Sequence, residues 1–499
     1  MYESCLCIFL LCPYCPVQQL LMANPLTLTC TLASAVIPLT GQPRLVYLLL
    51  ETGGGEGAQS LPINLGLVID VSDSMKIRLV TDDQFTQLAR SGRAQEVMTD
   101  GVPAYQLSAI PPEMVNQFPR RIDYVSEALL IVGEYLRPSD YFSLVAFAGK
   151  ATTLIPVTSG KEGSLLRRLT QAARQLEYLN LGDGTLMAEG LALAFDEINR
   201  QPGQASRLVL LTDGHTLNVK ECYAWAKRAR EAGLPLTTVG VGSDFNEDLL
   251  IPLADTTGGN AYFIEKPDQI PEAFRKELGT ALGVSYRNVE IKLQLPTSVE
   301  LRRVHRVLPE LGTFDQGPNL NGSYALLLGN YDPAVPVALL LELIIPAWQA
   351  GSYRLSQVVF AWDDPWNRDH SLEGMTRPYQ RQDVVITLGE PRTPGANSET
   401  LELGTTPFTL NQRVMNIIER VGAFKQGVQA LESAQSGDKG IATVRLRQSA
   451  TRLLDMGELT LANAMLHQAE TLERGEAMDP NTTKKLRYET RRLNQGVSE

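Results

Sequence analysis

Residues 63–74 read Ile-Asn-Leu-Gly-Leu-Val-Ile-Asp-Val-Ser-Asp-Ser. The run 63–69 is short, apolar and without alternation, the pattern of a strand buried on both faces of a parallel sheet. It ends in Asp70-Val-Ser72-Asp-Ser74, so oxygen-bearing side chains recur at every second position just where the strand stops. Working outward, Ile122, Val125, Leu129 and Val132 share helical spacing and predict a helix over 121–136. Strands are predicted at 141–147 and 152–157, around a Gly149-Lys150 hairpin. Helices at 165–176, 185–198, 219–232, 247–254 and 271–282 then alternate with strands at 207–211, 236–241 and 261–264. This alternation implies a doubly wound α/β unit over 61–282, its mostly parallel sheet covered by helices on both faces.

The informative residues sit where those strands end. Besides the Asp70-Ser72-Ser74 loop, Gly182-Asp-Gly184-Thr185 opens a helix and Thr212-Asp213-Gly214 closes a strand. In open α/β sheets ligands bind outside the carboxyl ends of the strands, near the point where strand order reverses, so the three loops can converge. Their chemistry is all oxygen. Hydroxyls and two carboxylates suit a hard cation, Mg²⁺ first and then Mn²⁺ or Ca²⁺. Neutral hydroxyls leave much of the cation's charge uncompensated, so an external carboxylate can complete the shell. Asp183 reads as turn chemistry in a Gly-rich loop. His215 reads as a surface residue, and four scattered histidines give no zinc-catalytic set.

Taken together and in this order, the three motifs resemble the von Willebrand factor A-type domain and its metal-ion-dependent adhesion site. The resemblance covers about residues 61–282. It implies that Ser72, Ser74 and Thr185 ligate the metal directly. Asp70 and Asp213 would act mainly through bound water, and a partner's Glu or Asp would take the open position. One departure stands out: in the family the metal loop leads quickly into a helix, whereas here 44 residues, 76–119, intervene. Leaving from the rim of the site, this insertion is expected to border or cover it; the alternative is a passive excursion.

Outside the α/β unit the pattern changes. Strand candidates at 289–295, 300–306, 323–328, 337–345, 353–362 and 383–388 follow one another without helices, an all-β module over 283–390. Two N-terminal strands, 26–32 and 45–50 within the segment 25–60, can complete it, which would place the α/β unit inside a β-sandwich. Trp362, Trp366 and Tyr379 read as core or edge packing in that module. Residues 391–406 have linker composition, and 407–495 read as a helical bundle punctuated by Gly457 and Gly475. Lys484, Lys485, Arg487, Arg491 and Arg492 gather on its last helix, expected as a solvated face, with an acidic partner as the sharper reading. The beginning and end of the chain also look like bacterial members of the same family, with a sandwich around the domain and a helical tail.

The 499 residues carry 45 Lys+Arg against 56 Asp+Glu, net −11. An acidic chain argues against whole-chain binding of nucleic acid or an anionic membrane. The tail 401–499 holds 13 basic and 12 acidic residues, so the acidic excess lies upstream, in the modules around the candidate cation site. Four of six cysteines, Cys5, Cys7, Cys12 and Cys15, fall in the first fifteen residues, leaving Cys30 and Cys222. That is no disulfide framework, and it suits a reducing, cytoplasmic setting. Residues 1–24 read as non-globular or as a mis-called start ahead of Met22, lacking the basic flank of a signal peptide.

These features predict a non-enzymatic, metal-dependent protein-interaction protein whose partner supplies the Glu or Asp. A second reading is a subunit that works with a separate AAA+ ATPase, since no phosphate-binding Gly-x-x-x-x-Gly-Lys loop occurs in this chain. A third is a hydrolase. It is disfavoured because Ser72 stands where a phosphatase would want a second Asp, and because no Gly-x-Ser-x-Gly elbow exists.

Overall fold

The computed structural model describes residues 26–54, 59–80, 82–99, 102–108, 118–242, 244–315, 317, 321–363, 377–389 and 409–494. The expected start segment 1–24, the linker 391–406 and Trp366 lie outside them. At the centre is a six-stranded sheet. Its strand order is Ala261–Ile264, Leu236–Val241, Ala205–Thr212, Ile63–Asp70, Tyr141–Phe147, Ala151–Ser159. All pairings are parallel except the last, where Ala151–Ser159 folds back antiparallel on Tyr141–Phe147.

The apolar run in the middle strand follows from its two buried faces. Ile63, Leu65, Leu67 and Ile69 pack into one core with Val125, Leu129, Leu169 and Phe274. Val68 faces the opposite core, with Leu191, Leu210 and Leu249. Asn64, buried on that second face, spends its amide on the carbonyl of Ile198 at 3.0 Å. Gly66 lets the helix Met187–Asn199 approach, because a Cβ there would stand 2.5 Å from Leu208 and 3.3 Å from Ile198. Strand order reverses around Ile63–Asp70, which sends one neighbour's connection to each side. The carboxyl ends of Ile63–Asp70 and Ala205–Thr212 therefore lie side by side at the switch point.

Two five-stranded sheets flank this unit and share one core. The first runs Leu26–Leu32, Arg44–Gly54, Ala338–Ile345, Glu300–Leu308, Gly312–Phe314. The second runs Ser323–Tyr331, Tyr286–Gln294, Gly351–Asp363, Tyr379–Gly389, Val36–Pro38. Leu48, Leu341 and Val304 of the first meet Ile291, Phe360 and Ile386 of the second, which makes a sandwich. Leu50 pairs with Leu339 across the whole inserted α/β unit. Two strands of the sandwich escaped the sequence reading, Val36–Pro38 and Gly312–Phe314, each only three residues long and too short to show a period. Trp362 is fully buried in this core and Tyr379 is exposed.

Four helices, Gln412–Gln435, Lys439–Asp455, Leu459–Glu473 and Pro480–Arg491, form the C-terminal unit. Gly437, Gly457 and Gly475 sit between them at φ of +86°, +80° and +82°, a conformation glycine adopts without strain. The break at Gly437 divides a stretch whose apolar positions alone read as one continuous helical region.

The last helix corrects an expectation. Its basic residues are not a solvated face. Lys484 and Arg491 are buried against the α/β unit, while Lys485 and Arg492 stay more exposed. Lys484 Nζ lies 2.6 Å from Glu247 Oε2, bonds the Phe245 carbonyl and sits 4.2 Å above the Phe245 ring. Arg487 pairs with Asp248, and Arg491 grips both oxygens of Asp255 at 2.6 and 2.9 Å. Tyr488 packs between them against Phe245 and Phe263. The acidic partner of this helix is the chain's own α/β unit, because every one of those carboxylates lies in or beside the helix Glu247–Thr257.

Among the described residues no helix is long and apolar enough to cross a membrane.

Candidate metal centre

Asp70 is the last residue of its strand and organises the loop that follows. Its Oδ1 accepts the Ser72 amide at 2.9 Å, and its Oδ2 accepts the Thr212 hydroxyl at 2.6 Å from the neighbouring strand. The first bond closes a local turn that folds the Ser72–Ser74 segment back over the strand tip. Ser72 Oγ then lies 3.0 Å from Ser74 Oγ, and Ser74 Oγ donates to Asp213 Oδ1 at 2.8 Å. Four of the five expected residues thus form one continuous hydrogen-bonded cluster, and all four are buried.

Thr185, also buried, is tied to the same corner through its backbone. Its carbonyl accepts the Leu217 amide at 3.1 Å and lies 2.9 Å from the Thr216 hydroxyl, both in the loop that begins at Asp213. Gly182 and Gly184 bracket the approach to Thr185 at φ of +82° and +85°. The loop also presses on the neighbouring hairpin, where a Cβ at Gly149 would stand 2.4 Å from the Asp183 carbonyl. Asp183 and His215 are both exposed, in line with a turn residue and a surface histidine.

Sequence reasoning missed Arg121. The guanidinium Nη1 donates to the Ser74 carbonyl at 3.1 Å and lies 3.3 Å from Asp213 Oδ2. It opens the helix Arg121–Tyr135, which enters the site where the insertion ends. The insertion folds as a helix, Asp82–Arg90, and a hairpin, Ala94–Thr99 with Val102–Leu107. Its two stems meet at the site through an Arg78–Arg120 bridge and the Leu79 amide on the Pro119 carbonyl at 2.8 Å. Arg121 is therefore 47 residues from Ser74 in sequence yet in contact with it. Its only signal in the sequence is its place at the head of the first full helix after the metal loop.

The cluster holds two carboxylates, Asp70 and Asp213, and one guanidinium, Arg121. Burial, and secondarily the Asp70 carboxylate, push the Asp213 carboxyl up to about 7, against the opposing pull of Arg121 and the Ser74 hydroxyl. Asp213 Oδ2 is buried with no hydrogen bond and faces the Arg121 guanidinium at 3.3 Å, so a metal-bound water there would share this oxygen with Arg121. Among the described residues no group of three or more His, Cys, Asp or Glu is gathered. The clustered donors are two carboxylates and the Ser72 and Ser74 hydroxyls, with Thr185 on the adjoining loop, an all-oxygen set that suits a hard cation such as Mg²⁺, Mn²⁺ or Ca²⁺.

Two family models match the chain. One is the von Willebrand factor type A domain over residues 115–276, and the other is the Sll0103-like, C-terminal alpha-helical domain over residues 412–496. The uncharacterized protein sll0103 of Synechocystis is 26% identical over 374 residues, covering 73% of this chain and 82% of that protein. A von Willebrand factor type A structure from Catenulispora acidiphila aligns over 94% of this chain and 96% of its own, with TM-score 0.68 at 16% identity. The ArnB paralog VWA2 from Sulfolobus acidocaldarius aligns over 94% and 99%, with TM-score 0.53 at 15% identity. At such identities these structures speak for the fold alone. The chain therefore carries a von Willebrand factor type A domain, set among additional sheets, and ends in an Sll0103-like α-helical domain.

Proposed function

We propose that this protein is a non-enzymatic, divalent-metal-dependent protein-interaction protein. The observation that carries the reading is the buried oxygen cluster of Asp70, Ser72, Ser74 and Asp213 at the switch point, with Asp213 Oδ2 left without a hydrogen bond. Ser72, Ser74 and Thr185 would hold the ion directly, and Asp70 and Asp213 through water. Bound there, Mg²⁺ would supply a Lewis-acidic position that a partner's Glu or Asp fills. The chain's own contribution is rigidity. Asp70 spends both oxygens on Ser72 and Thr212, so the two serine hydroxyls are placed before any ion arrives. The Ser74 hydroxyl does donate to a carboxylate, Asp213, but that carboxylate also faces the Arg121 guanidinium and would be taken up by the metal in this reading, which supports a binding role. Cys30 and Cys222, free thiols among the described residues, support a reducing, cytoplasmic setting.

The test has two arms. Calorimetric titration with Mg²⁺ and Mn²⁺ should show one saturable site, lost in Asp70→Ala and in Ser72→Ala/Ser74→Ala while circular dichroism stays unchanged. Capture of protein partners from native lysate should require Mg²⁺ and fail in chelator and with Asp70→Ala. Capture that persists in chelator, or metal titrations without saturation, overturns the reading.

A further inference from the structure

Beside the metal loops runs a second surface that none of the site residues uses. A groove of about 1000 Å³ lies between the sheet's edge strand, Ala151–Ser159, and the helix Leu165–Leu176. Thr152 and Leu154 form one wall. The other wall is a single helical stripe, Arg167, Thr170, Gln171, Arg174 and then Tyr178, at spacings of three and four residues. Two large apolar side chains stand open to solvent here, Leu166 at 58% and Tyr178 at 79% exposure.

Charge sets the groove apart. Among the described residues its lining contains two arginines and no acid. Neither Arg167 nor Arg174 has an ion pair among the described residues, although the chain as a whole is acidic. Two acids neighbouring the lining in sequence are already engaged: Glu162 faces Arg168 at 3.6 Å, and Glu177 holds Arg120 at 2.8 Å. The groove is also continuous with the candidate metal centre. Leu179 and Leu181 line its far end. Lys76, at the end of the metal loop, donates to the Leu179 carbonyl at 2.7 Å, and Leu181 immediately precedes Gly182-Asp-Gly184-Thr185.

We infer that this groove binds the flanking chain of the partner, an acidic extended peptide segment with apolar residues between its carboxylates. This deepens the metal-dependent reading and rests on it for the role of the 182–185 loop. The dimensions agree. Two helical turns separate Arg167 from Arg174, about 10 Å along the axis. In an extended segment, carboxylates three to four residues apart span about 10–13 Å, and the residue midway points to the same side at even spacing. Leu154, Leu166 and Tyr178 give that midway residue an apolar surface. Among the described residues the outer edge of Ala151–Ser159 pairs with no strand, so it offers main-chain groups to an added segment. One of its amides, Val157, is already taken by Glu197 at 2.9 Å, which confines such pairing to the end nearer the metal loops.

The test uses the full chain in Mg²⁺ and a fluorescein-labelled probe, the peptide Glu-Ser-Leu-Ser repeated three times. Its counterpart has Lys for Glu, and a twelve-nucleotide oligothymidylate serves as a non-peptide polyanion. Anisotropy should show binding of the acidic peptide at least tenfold tighter than of the lysine peptide. Arg167→Glu/Arg174→Glu should weaken it at least tenfold with no change in the melting temperature. Leu166→Ser should weaken the acidic peptide and leave the oligothymidylate unaffected. Chelator and Asp70→Ala report the metal arm separately. A tenfold loss on charge reversal that persists in chelator upholds the groove even where metal binding fails. Equal binding of the two peptides, indifference to the arginine reversal, or preference for the oligothymidylate overturns the inference.

Discussion

Asp255 offers the sharpest test of how the parts of this chain are held together. It lies near the end of the helix Glu247–Thr257 and accepts from two arginines that come from different units. Arg306, on a sandwich strand, donates at 2.9 Å, and Arg491, on the last helix, donates at 2.6 and 2.9 Å. The side chains of Arg306 and Arg491 are only 5% and 2% exposed, and that of Asp255 is 11% exposed. Glu310 adds a second anion, 3.8 Å from both Arg491 and the more exposed Arg492, so three cations face two anions. Asp255→Ala leaves the two buried guanidiniums of Arg306 and Arg491 sharing one carboxylate, Glu310, with the more exposed Arg492. Neither can shed its proton, so the charge cannot be relieved by titration. Breaking a buried pair in this way costs about 3–5 kcal/mol, which at about 1.4 kcal/mol per tenfold is roughly a 100- to 3000-fold rise in local opening. Amide hydrogen exchange in the helix Pro480–Arg491 measures it directly. The variant should lose two to three decades of protection there. Asp255→Ala/Arg491→Met should recover part of the loss, because it removes one of the uncompensated charges. The exposed pair Lys485–Glu265 is the control, and Glu265→Ala should leave protection within about threefold of wild type. Protection in Asp255→Ala within threefold of wild type would refute the argument that this cluster fastens the helical unit.

Three further outcomes are expected. Burial works against the Glu342 charge, but hydrogen bonds from His305 and Lys425, both at 2.9 Å, outweigh it and hold the carboxyl at about 2. Its stabilisation is therefore fully present above the unfolded value of about 4.3 and is lost as pH falls towards 2; melting curves from pH 5 to 2 should flatten in Glu342→Gln, and an unchanged acid limb would contradict this. The Cys222 thiol is fully buried and pushed up to about 12 by burial, so the peptide containing it should label with a thiol reagent only on unfolding, whereas stoichiometric labelling of the native chain within a minute would count against the packing. Arg121 places a fixed positive charge beside Asp213, so Arg121→Met should raise Mg²⁺ affinity several-fold in calorimetry, and a weaker or unchanged affinity would show that the guanidinium does not compete with the ion.

The α/β unit was readable because its strands are buried on both faces, and a continuous apolar run as short as 63–69, closed by polar loop residues, fits little besides a strand in a covered sheet. The oxygen-bearing residues were readable for a different reason: each sits at a strand end or a helix start that the pattern itself locates. What escaped depends on distance in space. Arg121 carries no local signature, and the 44 intervening residues hide its position next to Ser74. The basic residues of the last helix look like any solvated charge run, since sequence alone cannot show that Glu247, Asp248 and Asp255 wait opposite them. The three-residue strands at 36–38 and 312–314 are fixed by their neighbours' hydrogen bonds rather than by their own composition.

The pairing of Leu50 with Leu339 joins residues 289 positions apart. During synthesis at about 5–20 residues per second, the strand Arg44–Gly54 leaves the ribosome roughly 15–60 s before its partner exists. The α/β unit between them contains both faces of its own core and can close in that interval. The first strand, Leu26–Leu32, alternates Leu28 and Cys30 with Thr27, Thr29 and Thr31, so one face of the waiting hairpin stays polar. The inserted domain can thus mature first, while the sandwich closes only when Ala338–Ile345 pairs back onto Arg44–Gly54.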